Sequence, residues 1–151
     1  MTRSLRLALA AGAFAALATA PASLRAQAPA PAAGDSLAYP RQFVQWVLTS
    51  QGDSAWAHSG TQLREAMKSA EGVNQMAMRV ATRFGDVKST NAEVQFDEGA
   101  LKVYIAVMSF TIEQQPGAWV IAYSPATRTV ERASFGPVAR VKANYPQAKL
   151  P

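Results

Sequence analysis

Residues 100–113 constrain this chain most, because they are apolar on both parities. Leu101, Val103, Ile105 and Val107 hold one parity, and Tyr104, Ala106, Met108, Phe110 and Ile112 hold the other. Successive side chains of a strand point to opposite faces, so a strand built this way has no solvated side. One face must meet helices, and the other requires a ligand, a partner or a second copy of the chain.

The flanking residues extend this strand into a meander. Ala92, Val94 and Phe96 alternate with Asn91, Glu93 and Gln95, and Asp97-Glu98-Gly99 forms a turn. Gln114-Gln115-Pro116-Gly117 makes the next turn, 118–123 a third strand, 125–128 a turn and 129–135 a fourth strand, closed by Gly136-Pro137. A two-residue hairpin at 98–99 sets Phe96 opposite Leu101 and Val94 opposite Val103. An even-length loop at 114–117 sets Trp119, Ile121 and Tyr123 on the face of Phe110. One face is then aliphatic, with Val94, Phe96, Val103, Ile105, Val107, Val120 and Ala133. The other is aromatic with polar insertions, among them Glu93, Lys102, Tyr104, Met108, Trp119, Tyr123 and Arg132. A one-residue slip would exchange the two sets.

Ahead of the strands the period is helical. Pro40 suits a first turn, and Phe43, Val44, Trp46, Val47 and Leu48 form an apolar face ending near Gly52. Asp53 is expected to cap a short helix carrying Ala55 and Trp56. Ser59 with Gln62 reads as a capping box for a third helix reaching about Ser69. Val73, Met76, Ala77, Val80 and Phe84 predict a helix over 72–84, stopped by Gly85 at positive φ. Helices followed by an antiparallel meander predict an α+β domain, with the N-terminal helices packed on a curved four-stranded sheet.

The ends of the chain suggest its route and boundaries. Arg3 and Arg6, an apolar run over 7–20 and Ala26-Gln27-Ala28 read as a secretory signal peptide over 1–28. Residues 29–36 read as a flexible linker, 37–137 as the domain and 138–151 as a tail without convincing period. The expected location is the periplasm or the exterior. The chain has no Cys, which excludes a lipoprotein anchor, disulfides, thiolate metal sites and a Cys nucleophile. Without Arg3, Arg6 and Arg25, twelve basic residues face ten acidic ones, so the formal charge of +5 falls to +2. No basic stripe interleaves with aromatics, and nucleic acid is not an expected partner.

The segments Phe43-Val-Gln-Trp-Val-Leu, Gln51-Gly-Asp-Ser-Ala-Trp56, Arg83-Phe-Gly-Asp-Val87, Ala118-Trp-Val-Ile-Ala-Tyr123 and Ser134-Phe-Gly-Pro137 occur in an order that resembles the nuclear-transport-factor-2-like superfamily. More narrowly, the chain looks like its uncharacterised exported branch, whose members stand alone or precede a serine hydrolase or β-lactamase-like domain. The resemblance covers about residues 38–137. It implies a cone in which helices and a curved sheet enclose a pocket, often in a homodimer. The superfamily includes ketosteroid-isomerase-like and dehydratase-like enzymes beside non-catalytic members, and none of its enzyme motifs transfers to this chain residue by residue.

The candidate chemistry is sparse. Glu93 and Tyr104 lie nearly opposite one another in the register above. A carboxylate desolvated among aromatics gains a raised pKa and acts as a general base, while a phenol donates to a developing oxyanion. The alternative is a cross-strand hydrogen bond at the sheet rim, with Lys102 screening the charge. His58, the only histidine, is a further acid/base candidate but has no evident carboxylate partner. Trp46, Trp56, Tyr104, Met108, Trp119 and Tyr123 are candidates to line an apolar pocket. G-x-S-x-G, S-x-x-K and Gly-rich phosphate loops are absent, and no metal or other cofactor is expected. The expected function is an exported, non-catalytic domain that binds an apolar small molecule or a protein partner, with a homodimer expected. The alternatives are a cofactor-free isomerase or lyase using a carboxylate in the cone, and an accessory partner of a separate envelope hydrolase.

Overall fold

The computed structural model describes residues 35–151, and the signal expected over 1–28 lies outside them. Four helices come first: α1 (Ala38–Leu48), α2 (Gly52–Ala57), α3 (Thr61–Met67) and α4 (Ala70–Phe84). Four strands follow: β1 (Val87–Glu98), β2 (Leu101–Phe110), β3 (Gly117–Ser124) and β4 (Thr129–Pro137). They form one antiparallel sheet in the order β1-β2-β3-β4. The sheet is curled but not closed, and the fold class is α+β. A last helix, α5 (Val138–Asn144), and a 3-10 turn (Pro146–Ala148) end the chain. Among the described residues no helix is long and apolar enough to cross a membrane.

Of the α-helices among the described residues, α4 alone has an N-cap side chain that accepts from a backbone N–H. In α1, Pro40 falls in the first turn, where its missing N–H costs nothing, and Phe43, Val44 and Val47 are buried one turn apart. Gln51, not Asp53, precedes α2; Asp53 lies inside its first turn, near the positive end of the helix dipole. The capping box expected from Ser59 and Gln62 does not form. Ser59 is buried and its hydroxyl donates back to Ala55 O at 2.9 Å, while Gly60 precedes α3. Glu131 of β4 takes the role instead, its carboxylate accepting from Gln62 N at 3.4 Å. Ser69 begins α4 rather than ending α3, its hydroxyl accepting from Gly72 N at 3.2 Å. Gly85 ends α4 at φ +79°.

In the first hairpin Glu98 faces Leu101, Phe96 faces Val103 and Val94 faces Ile105. This register is two residues from the expected one, and an even shift leaves every side chain on its expected face. The helices cover the aromatic face, where Phe43, Val47, Val73 and Val80 share a core with Tyr104, Trp119 and Ile121. In β4, Ala122 pairs with Arg132 but Tyr123 pairs with Val130. The extra residue is a bulge, and it reverses two assignments: Ala133 packs on the helical side and Arg132 lies on the other.

The aliphatic face is also covered. Val138, Val141, Ala148 and Leu150 pack over Val103, Ile105, Val107 and Val120, with Tyr145 against Phe96 at 5.9 Å between centroids. Residues 138–151, set apart as a tail by their sequence, thus supply the third layer. Burying side chains of this size stabilises by roughly 1.5–3 kcal/mol each. The two-sided apolar strand is therefore covered within one chain, and its surface alone no longer requires a second copy.

Candidate functional site

Glu93 sits on β1 opposite Ala106, one diagonal step from Tyr104, which faces Gln95. The Tyr104 hydroxyl donates to Glu93 Oε1. Arg41, on the first turn of α1, reaches the same carboxylate with both prongs: Nε donates to Oε1 at 2.8 Å and Nη2 to Oε2 at 2.7 Å. Its remaining nitrogen, Nη1, donates to Asp35 Oδ2 at 2.7 Å. Such a bidentate pair is stronger than a single-pronged one.

The electrostatics follow from that geometry. The Arg41 guanidinium holds the Glu93 carboxyl below its ordinary range; burial opposes this, and the Tyr104 hydrogen bond assists it. Burial first, then the bond to Glu93, pushes the Tyr104 phenol well above its ordinary value. Glu93 is thus an ionised acceptor with both oxygens engaged, and the phenol proton is committed to it. Of the two readings of this pair, the structure has the cross-strand hydrogen bond, but Lys102 pairs with Asp97 instead, and the cation beside Glu93 is Arg41, fifty-two positions away in the chain. The sequence carries no local sign of that partner.

His58 lies elsewhere, at the end of α2. Its ring stacks on Trp46 at 4.7 Å and 25°, and meets Tyr39 edge-on at 5.9 Å. The imidazole makes no hydrogen bond or ion pair to a described residue, while the His58 carbonyl accepts from Val130 N at 2.8 Å. The Tyr39 hydroxyl donates to Arg128 O, and burial pushes its pKa up to about 12. No carboxylate orients the imidazole, and Glu93 is committed to Arg41 and Tyr104.

Of the six expected pocket residues, Met108 alone lines one of the concavities along α4. Tyr104, Met108, Trp119 and Tyr123 are buried in the core between helices and sheet. Trp119 is fully buried beside Phe135, at 5.1 Å between ring centroids. Its indole Nε1 has no hydrogen-bond partner. Tyr123 donates to Gln95 Oε1 at 2.9 Å. Trp46 and Trp56 are half-buried, Trp46 under His58 and Trp56 under the Arg64 guanidinium at 5.3 Å. Among the described residues, Tyr104, Trp119 and Tyr123 pack with Phe43, Val47 and Val73 in the core between the helices and the curled sheet.

Among the described residues, three concavities lie along α4. A cleft of about 390 Å³ opens between α1, α4 and the start of β1, walled by Gln45, Leu48, Val80, Asp86 and Val87, with Met108 among its lining. A groove of about 370 Å³ runs between α4 and β4, lined by Met76, Arg79, Val80, Arg83, Phe84, Ala133, Ser134 and Phe135. The outer surface of α4 carries a third hollow of about 360 Å³, shared by Met78, Arg79 and Arg83. The sequence offered one usable signal for these arginines. They stand four apart on α4 with Gln75 one turn before, so no carboxylate on that side pairs with them along the helix. Among the described residues no three His, Asp or Glu side chains gather as a metal site requires.

The fold and these surfaces define an α+β domain whose helices and terminal segment cover the two faces of one antiparallel sheet. The chain matches no family model, no curated protein and no solved structure.

Proposed function

We propose that this chain is an exported, non-catalytic domain of nuclear-transport-factor-2-like type that binds a protein partner through its outer surface. The observation that carries the reading is the filled interior, where Tyr104, Trp119 and Ile121 stand in the space a cone pocket would need. Glu93, the carboxylate bonded to Tyr104, is paired with Arg41 rather than left free to accept a proton. A general base needs a pKa near the working pH, whereas Glu93 already accepts three hydrogen bonds and Arg41 holds its carboxyl below the ordinary range.

A second reading has its own support. The cleft between α1, α4 and β1, at about 390 Å³, falls within the range of small-molecule sites, and Leu48, Val80 and Met108 make part of its lining apolar. Native mass spectrometry of the protein purified from its own host separates the two. The protein-binding reading expects the domain to retain a polypeptide and no small ligand. A retained small molecule with no polypeptide, or a turnover abolished by Glu93→Gln, would overturn it.

A further inference from the structure

The groove between α4 and β4 combines two cationic side chains, an apolar lining continuous with the core and the last strand of the sheet. Arg79 and Arg83 stand one turn apart and both line it. The ion pairs among the described residues engage Arg41, Lys102 and Arg132, leaving Arg79 and Arg83 without a carboxylate. Arg83 lies over the Phe84 ring at 5.3 Å, which holds its guanidinium above the groove. The lining between the arginines and the sheet is apolar, built from Met76, Val80, Phe84 and Phe135.

The far wall is a sheet edge. The sheet ends at β4. The connection between α2 and α3 covers the start of that edge, through Gly60 N to Val130 O and Val130 N to His58 O, both at 2.8 Å, and through Gln62 N to the Glu131 carboxylate at 3.4 Å. Along 133–136 the edge has no strand beside it among the described residues. An unpaired edge is a template for another extended chain, and edge addition beside a side-chain pocket is a recurring mode of peptide recognition.

We propose that this groove takes an extended acidic segment of a protein partner, which adds to the outer edge of β4 at 133–136, lays an apolar side chain against Phe84 and Phe135, and sets a carboxylate between Arg79 and Arg83. The proposal rests on the protein-binding reading above and gives it a place and a chemistry. Charge complementarity selects the occupant. A free anion would use the arginines but neither the apolar lining nor the edge. A second copy paired through β4 about a two-fold axis would bring four arginines to one seam, and that juxtaposition is repulsive.

The test is an NMR titration of the labelled protein, purified from cells expressing the full chain, with the hexapeptide Thr-Val-Thr-Val-Asp-Glu. Saturable amide shifts are expected at 133–136 and 79–84, weakening as salt rises. A peptide with Lys in place of both acids, and one with Pro at the fourth position, should each bind at least tenfold more weakly. Arg79→Glu with Arg83→Glu should weaken the acidic peptide at least tenfold while leaving the spectrum of the free fold unchanged, since both side chains are exposed. The proposal is overturned by an absence of saturable shifts at millimolar peptide, by equal binding of the Lys peptide, or by shifts on another surface. Identical shifts from free glutamate would reveal a small-anion site, and concentration-dependent shifts without peptide would reveal self-pairing; either also overturns it. If the double variant still cross-links its native partner in cells, the groove fails while the protein-binding reading stands. If the unaltered protein cross-links no polypeptide from any face, the underlying reading fails.

Discussion

Replacing Gly85 with Val should destabilise the domain by roughly 2–3 kcal/mol, summing a strained backbone and a lost hydrogen bond. Gly85 has φ +79° and ψ −160°, a combination open almost only to glycine. A β-branched side chain there costs roughly 1–2 kcal/mol in backbone strain. A Cβ at this position would also lie 2.2 Å from Thr111 Oγ1 and 2.9 Å from Ile112 Cγ1. Thr111 must then rotate, giving up the bond its hydroxyl accepts from Asp86 N at 2.9 Å, which adds about 1 kcal/mol. For a domain of this size the sum lowers the melting temperature by roughly 6–15 °C. Thermal and urea unfolding followed by circular dichroism should agree on the loss. In a Thr111→Ala background the same substitution should cost less, because one of the two clashes is gone. A shift smaller than about 2 °C would show that the joint between α4 and β1 does not hold this backbone.

Three further outcomes follow from the packing and charges. Arg41→Ala should cost about 1 kcal/mol at neutral pH. The Glu93 carboxyl is depressed in the fold, so its contribution is present above the unfolded carboxylate pKa and is lost as pH falls through the folded value. Melting curves of variant and wild type should therefore converge in acid, and a pH-independent gap would contradict the ion pair. Val141→Asp places a carboxylate under the terminal layer at a site 5% exposed; it should loosen that layer, bind an apolar dye and raise the sedimentation coefficient above that of the wild type through self-association, and a sedimentation profile equal to the wild type's with no dye binding would contradict the role given to α5. Glu131→Ala removes the carboxylate at the start of α3 and should cost roughly 0.5–1 kcal/mol at low salt, with faster amide exchange confined to 61–64; unchanged exchange there would show that Glu131 does not cap the helix.

The order of elements was legible because the apolar period changes at Val87 from three and four to two, and local spacing records that change. Face assignment was legible for β1, β2 and β3, where register errors of two residues cancel. It failed in β4, because a single bulged residue near Glu131 exchanges Arg132 and Ala133 and nothing in the residue types announces it. The terminal layer was missed because α5 is seven residues long and shows only Val138 and Val141 to the sheet, too few to set a period. Glu93 and Tyr104 were legible as neighbours, but the sign of the Glu93 shift was not, since Arg41 arrives from another layer. Trp119 and Tyr123 were pocket candidates at a spacing more often found in a core. Their spacing is the same in both, and only the helices packed against them decide for the core.

Site-specific photo-cross-linking in the native host tests the central claim most directly. A photoreactive residue at Thr82, exposed beside Arg79 and Arg83, should capture a discrete polypeptide, and the same residue at Lys88, exposed at the start of β1, should not. Capture at Thr82 that is lost with Arg79→Glu and Arg83→Glu is the result expected of a domain that works through its α4 surface. Equal labelling from both positions, or none at Thr82 while a small molecule is held beside Met108, would contradict that account.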